Sequence, residues 1–143
     1  MAERIIFRQN RKFEVEFLSS DPHNPEDLTV SAVQGLHEVT PYGMMLFSLA
    51  SCTAQVVMSF ANHHNMPVEE VELDLTYRRI FEEDCENCQE IDRYDELIEE
   101  SIAFKGELPA QERQKLYRIA HQCPIHKMFE EGIKVSSTLN EYM

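Results

Sequence analysis

The chemistry open to this chain rests mainly on four cysteines in three different settings. Cys52 lies inside an apolar stretch, Ser-Leu-Ala-Ser-Cys-Thr-Ala; Cys123 directly precedes Pro124 in Cys-Pro-Ile-His-Lys-Met; Cys85 and Cys88 form a Cys-x-x-Cys within an acidic run. A reduced thiol can attack an electrophile as its thiolate, bind a soft metal, or pack as a small apolar group. Read alone, Cys52 fits a packed core cysteine, a residue type among the most buried. Pro124 places Cys123 at the N-cap of a following helix, where unpaired N–H groups lower a thiol's pKa, or at a packed helix break. Cys85-x-x-Cys88 suggests a redox pair or half a zinc site. Glu82, Glu83, Asp84, Glu86 and Glu90 should raise both of its thiol pKa values, which favours attracting a cation over attack by a thiolate. A closed zinc site needs two further ligands, and the spacing of His63 and His64 does not mark them as such. An exposed, non-essential pair in a solvated acidic loop is the simpler reading of Cys85 and Cys88. His126, three residues beyond Cys123, suits a proton relay or a surface position.

The elements that must position these thiols are organised around a long helix. Thr40-Pro41 is a helix start, because a hydroxyl caps free N–H groups and a first-turn proline needs no donor of its own. Met45, Leu49, Cys52, Val56 and Phe60 then recur at spacings of three and four, and Leu46, Ala50, Ala54 and Val57 make the other faces apolar too. Such a helix runs to about His64 and is covered on most sides. Its length suits a membrane span, but Ser48, Ser51, Thr53, Gln55, Ser59 and Asn62 interrupt it and no basic flank adjoins it, so it reads as a soluble core helix.

Residues 4 to 18 read as a hairpin with Arg8 and Arg11 flanking its turn, and 28 to 33 as a short third strand. Val71, Leu73, Leu75 and Tyr77 alternate with polar residues as a half-buried strand, and Ile98, Ile102 and Phe104 resume that alternation up to Gly106. Pro109 opens a second helix with Leu116, Ile119, Ala120 and Cys123 on its core side; Pro124 opens a third, which Gly132 closes. Ile133, Val135, Ser137 and Leu139 read as a last strand. Strands, long helix, strands, helix pair and strand make an α+β fold.

With 143 residues, 43% of them hydrophobic, the chain suits one domain over 1–143 that folds without disulfides or metal. A net charge of −13 opposes contact with nucleic acid or anionic lipid. The N-terminal residues lack the apolar run of a signal peptide, so the thiols are expected in a reducing cytoplasm.

Ser-Leu-Ala-Ser-Cys52-Thr-Ala in a buried helix and Cys123-Pro-Ile-His-Lys-Met after a second helix together resemble the OsmC/Ohr family of thiol peroxidases. The resemblance extends through Pro41, Val-Glu-Glu-Val-Glu-Leu-Asp-Leu, Lys-Gly-Glu-Leu-Pro and Gly-Ile-Lys-Val, nearly the whole chain. It implies an intertwined homodimer of antiparallel sheets around paired central helices, with Cys52 peroxidatic and Cys123 resolving. Members of the hydroperoxide-resistance type carry a glutamate directly after the helix-starting proline, paired with a hairpin arginine over the reactive thiol. Tyr42 holds that place here, and Glu38, just ahead of the helix, is the nearest carboxylate able to substitute.

A mid-helix thiol is pushed up in pKa by burial, and the start of its own helix is about three turns away, beyond the reach of its dipole. Cys52 therefore needs a cation, with Arg8 and Arg11 the hairpin candidates. The resulting expectation is a cofactor-free peroxidase: Cys52 attacks a small organic hydroperoxide, Cys123 closes a disulfide, and a dithiol reductant reopens it. A second reading is a non-catalytic binding or stress-associated module of the same fold, favoured by Tyr42; a third is metal binding through Cys85 and Cys88.

Overall fold

The computed structural model describes residues 2–81 and 94–140. Among these residues five strands, β1 (Ala2–Asn10), β2 (Val15–Ser20), β3 (Val30–Ala32), β4 (Glu70–Phe81) and β5 (Tyr94–Lys105), form one antiparallel sheet in the order β3-β2-β1-β4-β5. Among them too are three helices, α1 (Pro41–His63), α2 (Ala110–Ala120) and α3 (Pro124–Glu131), which make the fold α+β, with a 3-10 turn over Leu36–Glu38 before α1.

Strand alternation decides the layers. Val71, Leu73, Leu75 and Tyr77 of β4 and Ile5 and Phe7 of β1 are buried beneath α1. The intervening residues carry charge on the other face, where Arg4 meets Asp74 at 2.7 Å, Arg8 meets Glu72 at 2.7 Å and Lys105 meets Glu70 at 3.0 Å. These pairs are partly exposed, so they fix side chains more than they stabilise the fold.

Thr40 caps α1, its hydroxyl accepting the Gly43 N–H at 3.2 Å and donating to the buried Glu3 carboxylate at 2.6 Å, which ties the helix start to β1. By length and composition α1 could cross a membrane, at a mean hydropathy of 1.6, but half of that window is buried inside the fold. Leu46, Ala50, Ala54 and Val57 are wholly buried, with sheet residues of β1 and β4 opposite them.

One chain supplies one sheet, with α1 packed on one of its faces. Two expectations change. Phe13 leaves the strand for the hairpin turn at φ 64, where the Asn10 side chain accepts the N–H groups of Lys12 and Glu14. The apolar alternation over 133–139 is not a strand: among the described residues no partner ladder forms, and Val135 and Leu139 are both 84% exposed. A period of two specifies which side chains share a face, but a strand exists only where a second backbone accepts its hydrogen bonds.

Arg113 of α2 donates to the carbonyls of Phe104, Gly106 and Leu108, locking the helix to the end of β5. Gly106 makes that turn at φ +138, and a Cβ there would lie 2.1 Å from the Pro67 carbonyl oxygen. Gly106→Ala is expected to cost about 1–3 kcal/mol through backbone strain and this collision. Urea unfolding checks it: the midpoint should fall with the slope unchanged.

Candidate active site

Cys52 is reached from three helices at once. Met45, Leu49 and Cys52 lie along one stripe of α1, and α2 and α3 both pack on that helix. The two short helices meet at Cys123, which Pro124 holds at the N-cap of α3, as its sequence context predicts. Leu116 and Cys123 are fully buried, Ala120 nearly so, and Cys52 is half-buried, so Cys52 is the more accessible thiol.

Both cysteines are free thiols, and the Cys52 sulfur interacts with the Cys123 thiol and with the backbone N–H of Ile125. Ile125 is the second residue of α3, so one of the unpaired donors of that helix is directed at Cys52. The expected cap geometry is thereby altered: the Cys123 side chain makes no capping hydrogen bond. Within the chain burial is the largest influence and pushes the Cys52 thiol up; Cys123 adds to this, while the Ile125 N–H pulls the other way without overcoming it.

The expected cation does not reach Cys52 inside one chain. Arg8 follows inward-facing Phe7 and so projects from the opposite sheet face, where it donates to Glu72 at 2.7 Å and to Glu16 at 3.0 Å. Arg11 is exposed at the hairpin turn. Glu38 is exposed as well and accepts the Gln34 and Gly35 N–H groups, which hold its carboxyl below the usual range; it closes the 3-10 turn and does not enter the site. Cys85 and Cys88 lie outside the described residues. Among the described residues no group of His, Cys, Asp and Glu has the geometry to hold a metal; His63 and His64 stack edge-on with ring centroids 5.1 Å apart.

A cleft of about 320 Å³ lies between α1, α3 and the β4–β5 side of the sheet. Leu49, one helical turn before Cys52, and His126, next to Ile125, are among its lining residues; Met45, Ile98 and Phe129 supply apolar surface, and Glu96, Glu100 and Glu130 supply carboxyl groups. Tyr77 and Glu96 also line it, joined by a 2.7 Å hydrogen bond from the Tyr77 hydroxyl. Tyr42 stacks on Tyr77 with ring centroids 4.8 Å apart, and Arg79 donates to both tyrosine hydroxyls while its guanidinium lies 4.9 Å from the Tyr42 ring centroid. The arginine at the helix start thus comes from β4. Arg79 and Glu100 are among the members of this region that escape the sequence reading. The available signal for Glu100 is a carboxylate in register between inward-facing Ile98 and Ile102.

Replacing Cys123 removes one of the influences that hold the Cys52 thiol up. In Cys123→Ala, the pH at which Cys52 becomes half-reactive towards iodoacetamide should fall relative to wild type, as read by mass spectrometry of the labelled peptide. An unchanged or raised midpoint would show that Cys123 does not act on Cys52.

Comparison with known proteins adds to this geometry. The family model described as OsmC-like protein matches residues 34–138, a span that includes both Cys52 and Cys123. No curated protein matches the sequence. The fold is similar to the crystal structure of an OsmC-like hydroperoxide resistance protein from Jannaschia sp. CCS1, with a TM-score of 0.64 and 14% identity, over 99% of this chain and 93% of that one. At that identity the likeness is one of fold. Since the family match spans well over half of the sequence, the chain belongs to the OsmC-like protein family.

Proposed function

We propose that this protein is a cofactor-free cysteine peroxidase for small organic hydroperoxides. The observation that carries the reading is the meeting of Cys52 and Cys123, distant in sequence, at the N-terminus of α3, whose His126 lines the cleft. The printed name of the structural neighbour, a hydroperoxide resistance protein, points the same way. Cys52 thiolate attacks the distal peroxide oxygen and becomes a sulfenic acid, releasing the alcohol. The Cys123 thiol then displaces water from that sulfenic acid to close a disulfide, which a dithiol reductant reopens. A reducing cytoplasm is the setting that keeps both thiols available.

The cation that favours the thiolate is Arg11, contributed across a homodimer. Arg8 is held by carboxylates, whereas Arg11 stands exposed at the hairpin tip. Exposed Phe13, Val15, Leu36, Val135 and Leu139 supply apolar surface that a second copy would cover. A second reading, a binding module of the same fold, is favoured by the raised Cys52 pKa within one chain and by Tyr42 at the helix start.

Mixing the reduced protein with cumene hydroperoxide tests the proposal. Mass spectrometry should show Cys52–Cys123 disulfide in wild type, arrest at sulfenic acid in Cys123→Ser, and no oxidation at this site in Cys52→Ser. Arg11→Met should slow the oxidation at least tenfold and raise the ionisation midpoint of Cys52, since a nearby opposite charge shifts a pKa by roughly 1 to 3 units. Light scattering should give the mass of a dimer at micromolar concentration. A wild type whose thiols survive the hydroperoxide selects the binding module.

A further inference from the structure

The cleft lined by Leu49, one helical turn before Cys52, and by His126, next to Ile125, contains a carboxyl group with no role so far. Glu100 belongs to β5, opposite Leu75 of β4, and its side chain lines the cleft together with Met45, Leu49, Tyr77 and His126. Its Oε2 oxygen is shielded from solvent and has no hydrogen-bond partner among the described residues. A buried, unpartnered carboxyl oxygen is costly for a fold, and clefts are where such groups are retained for chemistry. We propose that Glu100 is the proton donor of the peroxide step, protonating the alkoxide that leaves when Cys52 attacks an uncharged organic hydroperoxide seated in the cleft. The inference rests on the peroxidase reading and adds a residue and a substrate class to it.

Cys52 thiolate gives an electron pair to the distal oxygen of R–O–OH; the S–O bond forms as the O–O bond breaks, and sulfur is oxidised by two electrons while the peroxide is reduced. The departing R–O⁻ takes the proton of the Glu100 carboxyl and leaves as the alcohol, and Glu100 carboxylate is reprotonated from solvent. Without a donor, a basic alkoxide would have to be expelled beside Glu96 and Glu130, where a further negative charge is disfavoured. Burial holds the Glu100 carboxyl above its usual range, which keeps the acid form available; His126 and His121 oppose this. The other charged or titratable groups of the cleft are Glu96 on its own strand, Glu130 of α3 and Tyr77 of β4, whereas α1 presents only Met45 and Leu49. With Glu96 and Glu130 around it, the cleft suits a neutral hydroperoxide and disfavours one that carries a carboxylate.

The test is Glu100→Gln, which keeps the shape and removes the acid. Oxidation of Cys52 by cumene hydroperoxide should slow by about 100-fold or more, the usual scale of general acid catalysis. The decline of wild-type rate at high pH that reports loss of the acid should vanish from the profile. Alkylation of Cys52 by iodoacetamide, whose iodide leaving group needs no proton, should stay at the wild-type rate. In wild type a normal solvent deuterium isotope effect on peroxide oxidation is expected, and this reading does not depend on the variant folding. Wild-type protein should also oxidise more slowly with a fatty-acid hydroperoxide than with its methyl ester. An unchanged peroxide rate in Glu100→Gln, a parallel fall in alkylation, an isotope effect of one, or equal rates with acid and ester would overturn the proposal while leaving the peroxidase reading intact. A wild type in which Cys52 is never oxidised overturns both.

Discussion

The packing of α1 across the apolar face of β1 and β4 is the constraint on which the rest of the structure depends. Leu46, Ala50, Ala54 and Val57 face Ile5, Phe7, Val71, Leu73 and Leu75, all of them at most 1% exposed. Burial of each Leu, Val, Ile or Phe side chain contributes about 1.5–3 kcal/mol. Once that seam is fixed, the rotation of α1 is fixed as well, and its Met45–Leu49–Cys52 stripe must face away from the sheet centre, towards α2 and α3. Leu116, Ala120 and Cys123 fill the remaining flank. The site is therefore a by-product of core packing: the same helix faces that exclude water from the sheet decide where the thiol points.

That position sets two electrostatic effects against each other. Removing Cys52 from water disfavours its thiolate, whereas a backbone donor at the start of α3 favours it. The donor is available because Pro124 occupies the first helical position and Cys123 makes no side-chain cap bond, so the N–H of Ile125 remains for the neighbouring sulfur. At the other end of α1, Tyr42 stacks on Tyr77 and takes a hydrogen bond from Arg79, where a glutamate would have formed a salt bridge. A phenol at this place accepts a hydrogen bond without adding negative charge. The start of α1 therefore carries a tyrosine–arginine contact in place of the glutamate–arginine pair that the family resemblance implies.

Much of the fold was legible in the sequence, and so was part of the site. Thr40-Pro41 marked the start of α1, Pro124 and Gly132 bounded α3, and the period-two alternation of β4 named its buried face; Cys123 at the head of α3 followed from Pro124 alone. Even the displacement of Arg8 was available in principle, because it follows Phe7 in a strand and neighbours in a strand face opposite ways. The apolar alternation at 133–139 misled for a different reason: it is a statement about faces and carries no information on whether an adjacent strand exists.

Caps, prolines and hydrophobic periods are properties of consecutive residues, so the sequence by itself determined the helices, most of the strands, the buried side of each and the cysteine at the α3 cap. The tertiary structure alone decided that the Ile125 N–H reaches Cys52, that Arg79 instead of a hairpin arginine meets Tyr42, and that Glu100 turns into the cleft beside His126. Each of these joins segments far apart in the chain, and their approach is fixed by strand register and helix packing summed over the whole core, which no local pattern encodes.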